Sequence, residues 1–235
     1  DLKYRARRVA VVVTAMALVL VLLFLMTGLV EQFNKEPSLS TEAIGATDWI
    51  LPAGVAGPFT SSATMDDAVA ADIQARAEVD QLVVARANID GTDEVIVIGH
   101  EIGGRGTPDV VEGRAAAQDG DVVVDESSGF AVGSQVEIGG QVFDIVGRSR
   151  DTTLLAGIPL VFVTIDDARN ALFGGTGVVS ALVSDEPVDE LPDAVVHRSA
   201  VEVADNARGP LESAIASIDL IRTLLWIVVA VVLGG

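Results

Sequence analysis

The chain has no cysteine. Neither a disulfide framework nor a thiolate metal site is available, so a folded domain must be held by its apolar core. Histidine is almost as scarce, with His100 and His197 the two in 235 residues. His100-Glu101 could open a zinc-binding H-E-x-x-H, but position 104 is glycine, and both histidines read as ordinary surface residues. Neither Lys-Ser nor Lys-Thr occurs. The glycine-dense stretch Gly99–Gly106 therefore lacks the ammonium and hydroxyl of a phosphate-cradling loop and reads as a loop between strands. Asp119-Gly120-Asp121 and Asp125-Glu126 lack the spacing and trailing glutamate of a calcium loop and read as strand-flanking turns. Ser127, Ser128 and Ser134 have no histidine in a plausible local motif, so hydrolase chemistry is not supported. No catalytic residue, metal ligand or resident cofactor is expected on this chain.

An excess of positive charge is missing too. The net charge is −19, and it is unevenly divided. Residues 1–8 carry Lys3, Arg5, Arg7 and Arg8 against Asp1, whereas residues 31–218 carry 10 basic and 32 acidic side chains. An acidic domain cannot neutralise phosphates, which excludes nucleic acid as a partner. The acidity fits a domain that stays off anionic lipid, and its plain reading is solubility.

Long uncharged runs occur only at the two ends. Val9–Val30 is 22 residues without a charge, its polar side chains limited to Thr14 and Thr27. As a helix it would be about 33 Å long, enough to cross a hydrocarbon core of about 30 Å. A cleaved secretory signal would have a shorter apolar region and an A-x-A-like end, and neither is present. The basic residues before the run place its start in the cytoplasm. From Thr223 to Gly235 there are 13 uncharged residues, too few to span, with Trp226 suited to an interface. The expectation is a chain that continues, cut inside a second span. The expected organisation is a cytoplasmic N-terminus (1–8), a first transmembrane helix (9–30), an extracytoplasmic α+β domain (31–218) and the start of a second span (219–235), in the plasma membrane.

Between the spans, residues 31–62 read as a connector whose Trp49, Ile50, Leu51 and Phe59 must pack against something. A helix is expected from Thr64 to about Val79, with Met65, Val69, Ile73 and Ala77 on one face. Strands are expected at 82–87, 94–98, 121–124, 134–138, 141–146, 159–164 and 178–183, with Gly139-Gly140 as a tight hairpin turn. Asp166–Phe173 reads as a short helix ended by Gly174-Gly175. Residues 187–192 read as acidic linker. Residues 198–218 read as a helix that Gly209-Pro210 must break or kink.

Glu31 follows the first run directly. Phe24, Thr27, Gly28 and Glu31 share one helical face, and a carboxylate at a helix C-terminus gains nothing from the dipole. Either the helix has reached water there, or these four residues line a cavity between two subunits.

The layout and several stretches together resemble the FtsX-like/MacB-like ABC transporter permease family. The stretches are Val136–Gly147 (VEIGGQVFDIVG), Gly157–Thr164 (GIPLVFVT) with Asp166-Asp167-Ala168, and Gly113-Arg114 leading to Gly120–Asp125. The resemblance implies membrane spans plus an α+β extracytoplasmic domain of MacB-like core, with two further spans after this stretch. It also implies a homodimer, a separate cytoplasmic ATPase that binds ATP and Mg, and motion transmitted through the spans. Family roles include export of peptides, antibiotics or haem, and control of cell-wall hydrolases. Under that resemblance paired Glu31 carboxylates could hold haem as a substrate. A two-span sensor is the reading from a different class.

Overall fold

A computed structural model describes residues 2–234, with side chains described from residue 10 to 231 apart from residue 12. The basic side chains of Lys3, Arg5, Arg7 and Arg8 lie outside that set. The chain forms two compact units, Asp1–Lys35 with Pro210–Gly235, and Glu36–Gly209.

The first helix, α1, runs Leu2–Glu42, so residues 31–42 are helix and not connector. Two local features carry it onward. Glu31 and Lys35 pair at 2.6 Å in the favourable i,i+4 order. The Thr41 hydroxyl donates to the Pro37 carbonyl at 2.7 Å. Pro37 sits inside the helix despite lacking an N–H.

The second unit follows with β1 (Asp48–Pro52), β2 (Met65–Asp66), α2 (Asp67–Gln74), β3 (Asp80–Ile89) and β4 (Asp93–His100). Next come β5 (Val110–Gly113), β6 (Asp121–Asp125), β7 (Gln135–Ile138), β8 (Gln141–Ser149), β9 (Thr153–Leu154) and β10 (Ile158–Thr164). It closes with α3 (Ile165–Phe173), β11 (Val178–Val179), β12 (Ala181–Ser184), β13 (Val195–Ser199) and α4 (Ala200–Arg208). One mixed sheet orders its strands β13-β1-β12-β3-β4-β10-β6-β8-β5, with β7 pairing β3 and β8, and β9 pairing β10. The strands β2 and β11 form a separate pair.

The core lies on both faces of this sheet. Leu82, Val84, Ile96, Ile98, Leu160 and Phe162 join Trp49 and Phe59 on one face. Val83, Val95, Val97, Val161 and Val163 pack with Ala168 of α3 on the other. Burial on both faces is why these strands read as unbroken apolar runs instead of alternating ones. Trp49 and Phe59 meet edge-on at 6.0 Å, as their expected packing requires.

The β7–β8 hairpin turns at Gly139-Gly140, with φ of 60° and 81°, a conformation that suits glycine. In α3 the Thr164 side chain caps Asp167 N–H and left-handed Gly174 ends the helix. The α2 region differs from expectation: it is shorter, and Met65-Asp66 pairs with Val178-Val179 as a strand before the helix begins. The expected 178–183 strand is correspondingly split into β11 and β12. Ser199 and Glu202 form a reciprocal capping box that starts α4. A short 3-10 turn at Gly209–Leu211 separates α4 from the last helix, α5 (Glu212–Gly234). The final helix is thus 23 residues, longer than its uncharged end alone.

The stretches Val13–Glu42 and Ala200–Val231 are long and apolar enough to cross a membrane, with 18-residue segments of mean hydropathy 2.7 and 2.1. Their low burial, 11% and 6% of the spanning windows, is unlike the core helix of a water-soluble domain.

Candidate functional site

The four candidate residues of α1 share one face, as their spacing requires. Phe24 is 76% exposed, and Thr27, Gly28 and Glu31 are exposed beside it. The Thr27 hydroxyl donates to its own Leu23 carbonyl at 2.8 Å, which satisfies it without a partner helix. A Cβ placed on Gly28 would meet nothing within 4 Å, so the surface there is open. Leu23, Val30 and Phe33 form the buried stripe, about a third of a turn away around the helix. Glu31 does not stand at a helix C-terminus, since eleven helical residues follow it. Its oxygen is engaged by Lys35 instead.

A carboxylate that sequence reasoning passed over is bound more firmly. Glu36 is 4% exposed. It accepts the Thr153 hydroxyl at 2.6 Å on one oxygen and the Ala156 N–H at 3.0 Å on the other. One turn later the Ser40 hydroxyl donates to the Thr153 carbonyl at 2.6 Å. The gripped loop is unusual: Leu155 and Ala156 hold φ of 55° and 72°, where side chains are disfavoured, and Gly157 follows at 100°. Thr152, just before, donates through both N–H and hydroxyl to Asp125. The end of α1 is therefore clasped to the β9–β10 loop. The signal for it was the polar i,i+4 spacing of Glu36 and Ser40 within a helix-compatible stretch.

The domain's other polar fixtures are structural. The Arg114 guanidinium holds the buried Asp121 carboxyl below the usual carboxylate range, helped by the Ala117 and Gln118 N–H groups. Burial pushes Asp167 up, against an N–H from Gly120. His100 is not a surface residue. It ends β4 fully buried, its pKa lowered by burial, with Nδ1 against the Glu101 carbonyl at 2.9 Å. His197 lies on β13 and pairs with Asp48 on β1. The two histidines are thus held by different partners, and no group of three or more His, Asp or Glu converges among the described residues. Of the expected loop Gly99–Gly106, Gly99 and His100 instead end β4, and the remainder lies in the connection to β5.

A groove of about 450 Å³ runs beside β3, between the loop at Pro58–Ser62 and the end of α3 at Leu172 and Phe173. Its floor includes Val84, Ala85 and Ile96. Its size falls in the range of ligand and peptide sites.

No protein-family model matches the chain. Uncharacterised ABC transporter permeases of Mycobacterium bovis and Mycobacterium tuberculosis are each 29% identical to it over 241 residues, covering all of this chain and 69% of each relative. Among solved structures it is similar to the periplasmic region of MacB from Actinobacillus actinomycetemcomitans. That match has 12% identity and a TM-score of 0.48, over 70% of this chain and 93% of the other. It is also similar to the extracellular domain of the noncanonic ABC-type transporter YknZ from Gram-positive bacteria. There the identity is 14% and the TM-score 0.45, over 66% and 98% of the two chains. Along its whole length the chain is similar to ABC transporter permeases.

Proposed function

We propose that this chain is the permease part of an exporter for a hydrophobic or amphipathic compound such as haem, a drug or a peptide. ATP would be hydrolysed with Mg by a separate cytoplasmic subunit, and a second copy of the permease would complete the site. The observation that carries this reading is the continuity of α1 from an apolar, outward-facing stretch to the Glu36 clasp. A helix moved by the partner ATPase would pull on the β9–β10 loop directly, so no solute channel through the domain is required. Phe24, Thr27, Gly28 and Glu31 supply the face on which a planar or amphipathic substrate would rest between two copies.

The test is ATP turnover of the reconstituted permease–ATPase complex with candidate compounds. Stimulation by one of them, lost in Glu31→Ala with assembly intact, supports export. Unchanged turnover with every compound, together with binding of a cell-wall hydrolase, would replace it with the relay reading. In that second reading the permease moves no solute and tugs on an outer partner. It is favoured by the groove beside β3, which lies wholly within the second unit.

A further inference from the structure

Strand β3 has two neighbours along its outer edge and a gap between them. At one end β12 pairs with residues 80–82, and at the other β7 pairs at Ile89. Residues 83–88 have β4 on one side and no strand on the other. Two hydrogen bonds fix which residues face the gap. The Val84 N–H donates to Ser180 Oγ at 2.9 Å, and the Asp90 N–H donates to the Glu137 carbonyl at 2.9 Å. Alternate residues turn their backbone groups to the same edge. Arg86 and Asn88, which lie between, therefore present N–H and C=O to the gap. The Asn88 carbonyl lies at the β7 bridge, whereas the Arg86 N–H and C=O and the Asn88 N–H have no strand beside them, and both residues are exposed.

The groove confirms the opening from its walls. Val84 and Ile96 belong to the sheet face that packs on Phe59, whereas Leu172 and Phe173 pack against the opposite face. A cavity lined from both faces of one strand must cross that strand's edge. Donors and acceptors repeating at about 6.6–6.8 Å, every second residue, are complemented in full by another extended backbone. Apolar walls on both sides offer seats for its alternate side chains.

Charge selects among strands. Residues 36–209 hold nine arginines, no lysine and 30 carboxylates. The gap itself is flanked by exposed Asp90, Glu94 and Glu137, with Arg86 already paired to Glu94 at 3.2 Å. We propose that this gap receives an extended segment of another polypeptide, flanked by basic residues, which adds as a strand between β12 and β7. The site does not depend on whether the permease moves a solute.

The experiment is residue-resolved hydrogen exchange on the full permease in lipid nanodiscs. The probe is the peptide acetyl-KVTVTK-amide, with the same peptide N-methylated at every second residue as control. Without peptide, the amides of Arg86 and Asn88 should exchange at least about tenfold faster than those of Ala85 and Ala87, which face β4. Millimolar peptide should slow the two fast amides by about tenfold or more, and the N-methylated peptide should not. Unchanged exchange with the peptide, equal protection by the N-methylated form, or slow exchange at both residues beforehand would each overturn the proposal. Asn88→Pro removes one edge donor at a position where an edge strand tolerates proline. It should weaken peptide binding about fivefold or more at an unchanged unfolding midpoint; undiminished binding would count against the site. If that variant misfolds, the two peptides decide the question by themselves.

Discussion

Phe24 and Phe162 are the same side chain placed in opposite surroundings. Phe162 is fully buried in the sheet of the second unit, and Phe24 stands 76% exposed on α1. Burying such a ring is worth about 1.5–3 kcal/mol. A chain that leaves Phe24, Leu18, Leu25 and, on α5, Trp226 and Ile227 outside forgoes that gain in water and recovers it only in lipid or against another protein. The second unit closes its own core and spends its surface on carboxylates. The comparison separates what each unit needs: the domain needs its interior, and the helices need a membrane.

The sharpest test of this contrast is a matched pair of truncations. Phe162→Ala should destabilise the second unit by about 3–5 kcal/mol in denaturant unfolding. Phe24→Ala should leave that transition in place. An equal loss from Phe24→Ala would mean that the helical unit supports the domain's core after all.

Asp121 probes how the acidic domain tolerates its own charge. Asp121→Ala should cost about 1.5–3 kcal/mol, because Arg114 and two N–H groups lose a charged acceptor. The sign in pH follows from the lowered carboxyl. The folded group ionises below the unfolded value of about 3.9, so its contribution is complete above that value and is lost as pH falls through the folded one. Asp121→Asn should therefore flatten the loss of stability on the acid side of about pH 4, read from unfolding midpoints across pH.

Glu36 lies where the two regions share one helix. Glu36→Ala leaves the Thr153 hydroxyl and the Ala156 N–H without their acceptor, and should cost about 1–3 kcal/mol. Its larger effect is expected on coupling, as ATP turnover of the reconstituted complex that no longer responds to ligands of the domain. Intact coupling in a folded Glu36→Ala protein would remove the clasp from the mechanism. The smallest stability effect belongs to Glu31→Ala. Domain unfolding should not move, since the Glu31–Lys35 pair is solvent-exposed, and the change should be confined to ligand-stimulated turnover.

Local pattern foretold the elements that local chemistry controls. The central strands were legible because two buried faces demand continuous Val, Ile and Leu, and the β7–β8 turn because paired glycines suit a tight hairpin. Thr164, Gly174 and the Gly209-Pro210 break likewise act within a few residues of themselves. Strands β5 and β13 were not foreseen, nor was β1, which shows the reason most plainly. Its Trp49 and Leu51 announce burial, but its partners Leu182, Val183 and His197 lie far along the chain, so nothing nearby marks it as a strand. The extension of α1 was hidden for a similar reason. Glu31, Glu36 and Pro37 look like an exit into water until a distant loop supplies the partners that bury Glu36.

Apolar length and uneven charge were enough to place two greasy helices around an acidic domain. Those properties are additive along the chain and need no knowledge of what meets what. The buried His100, the clasp on the β9–β10 loop and the open edge of β3 depended on the tertiary structure. Each arises where residues far apart in sequence either supply a hydrogen-bond partner or leave one out, and only the folded chain decides which.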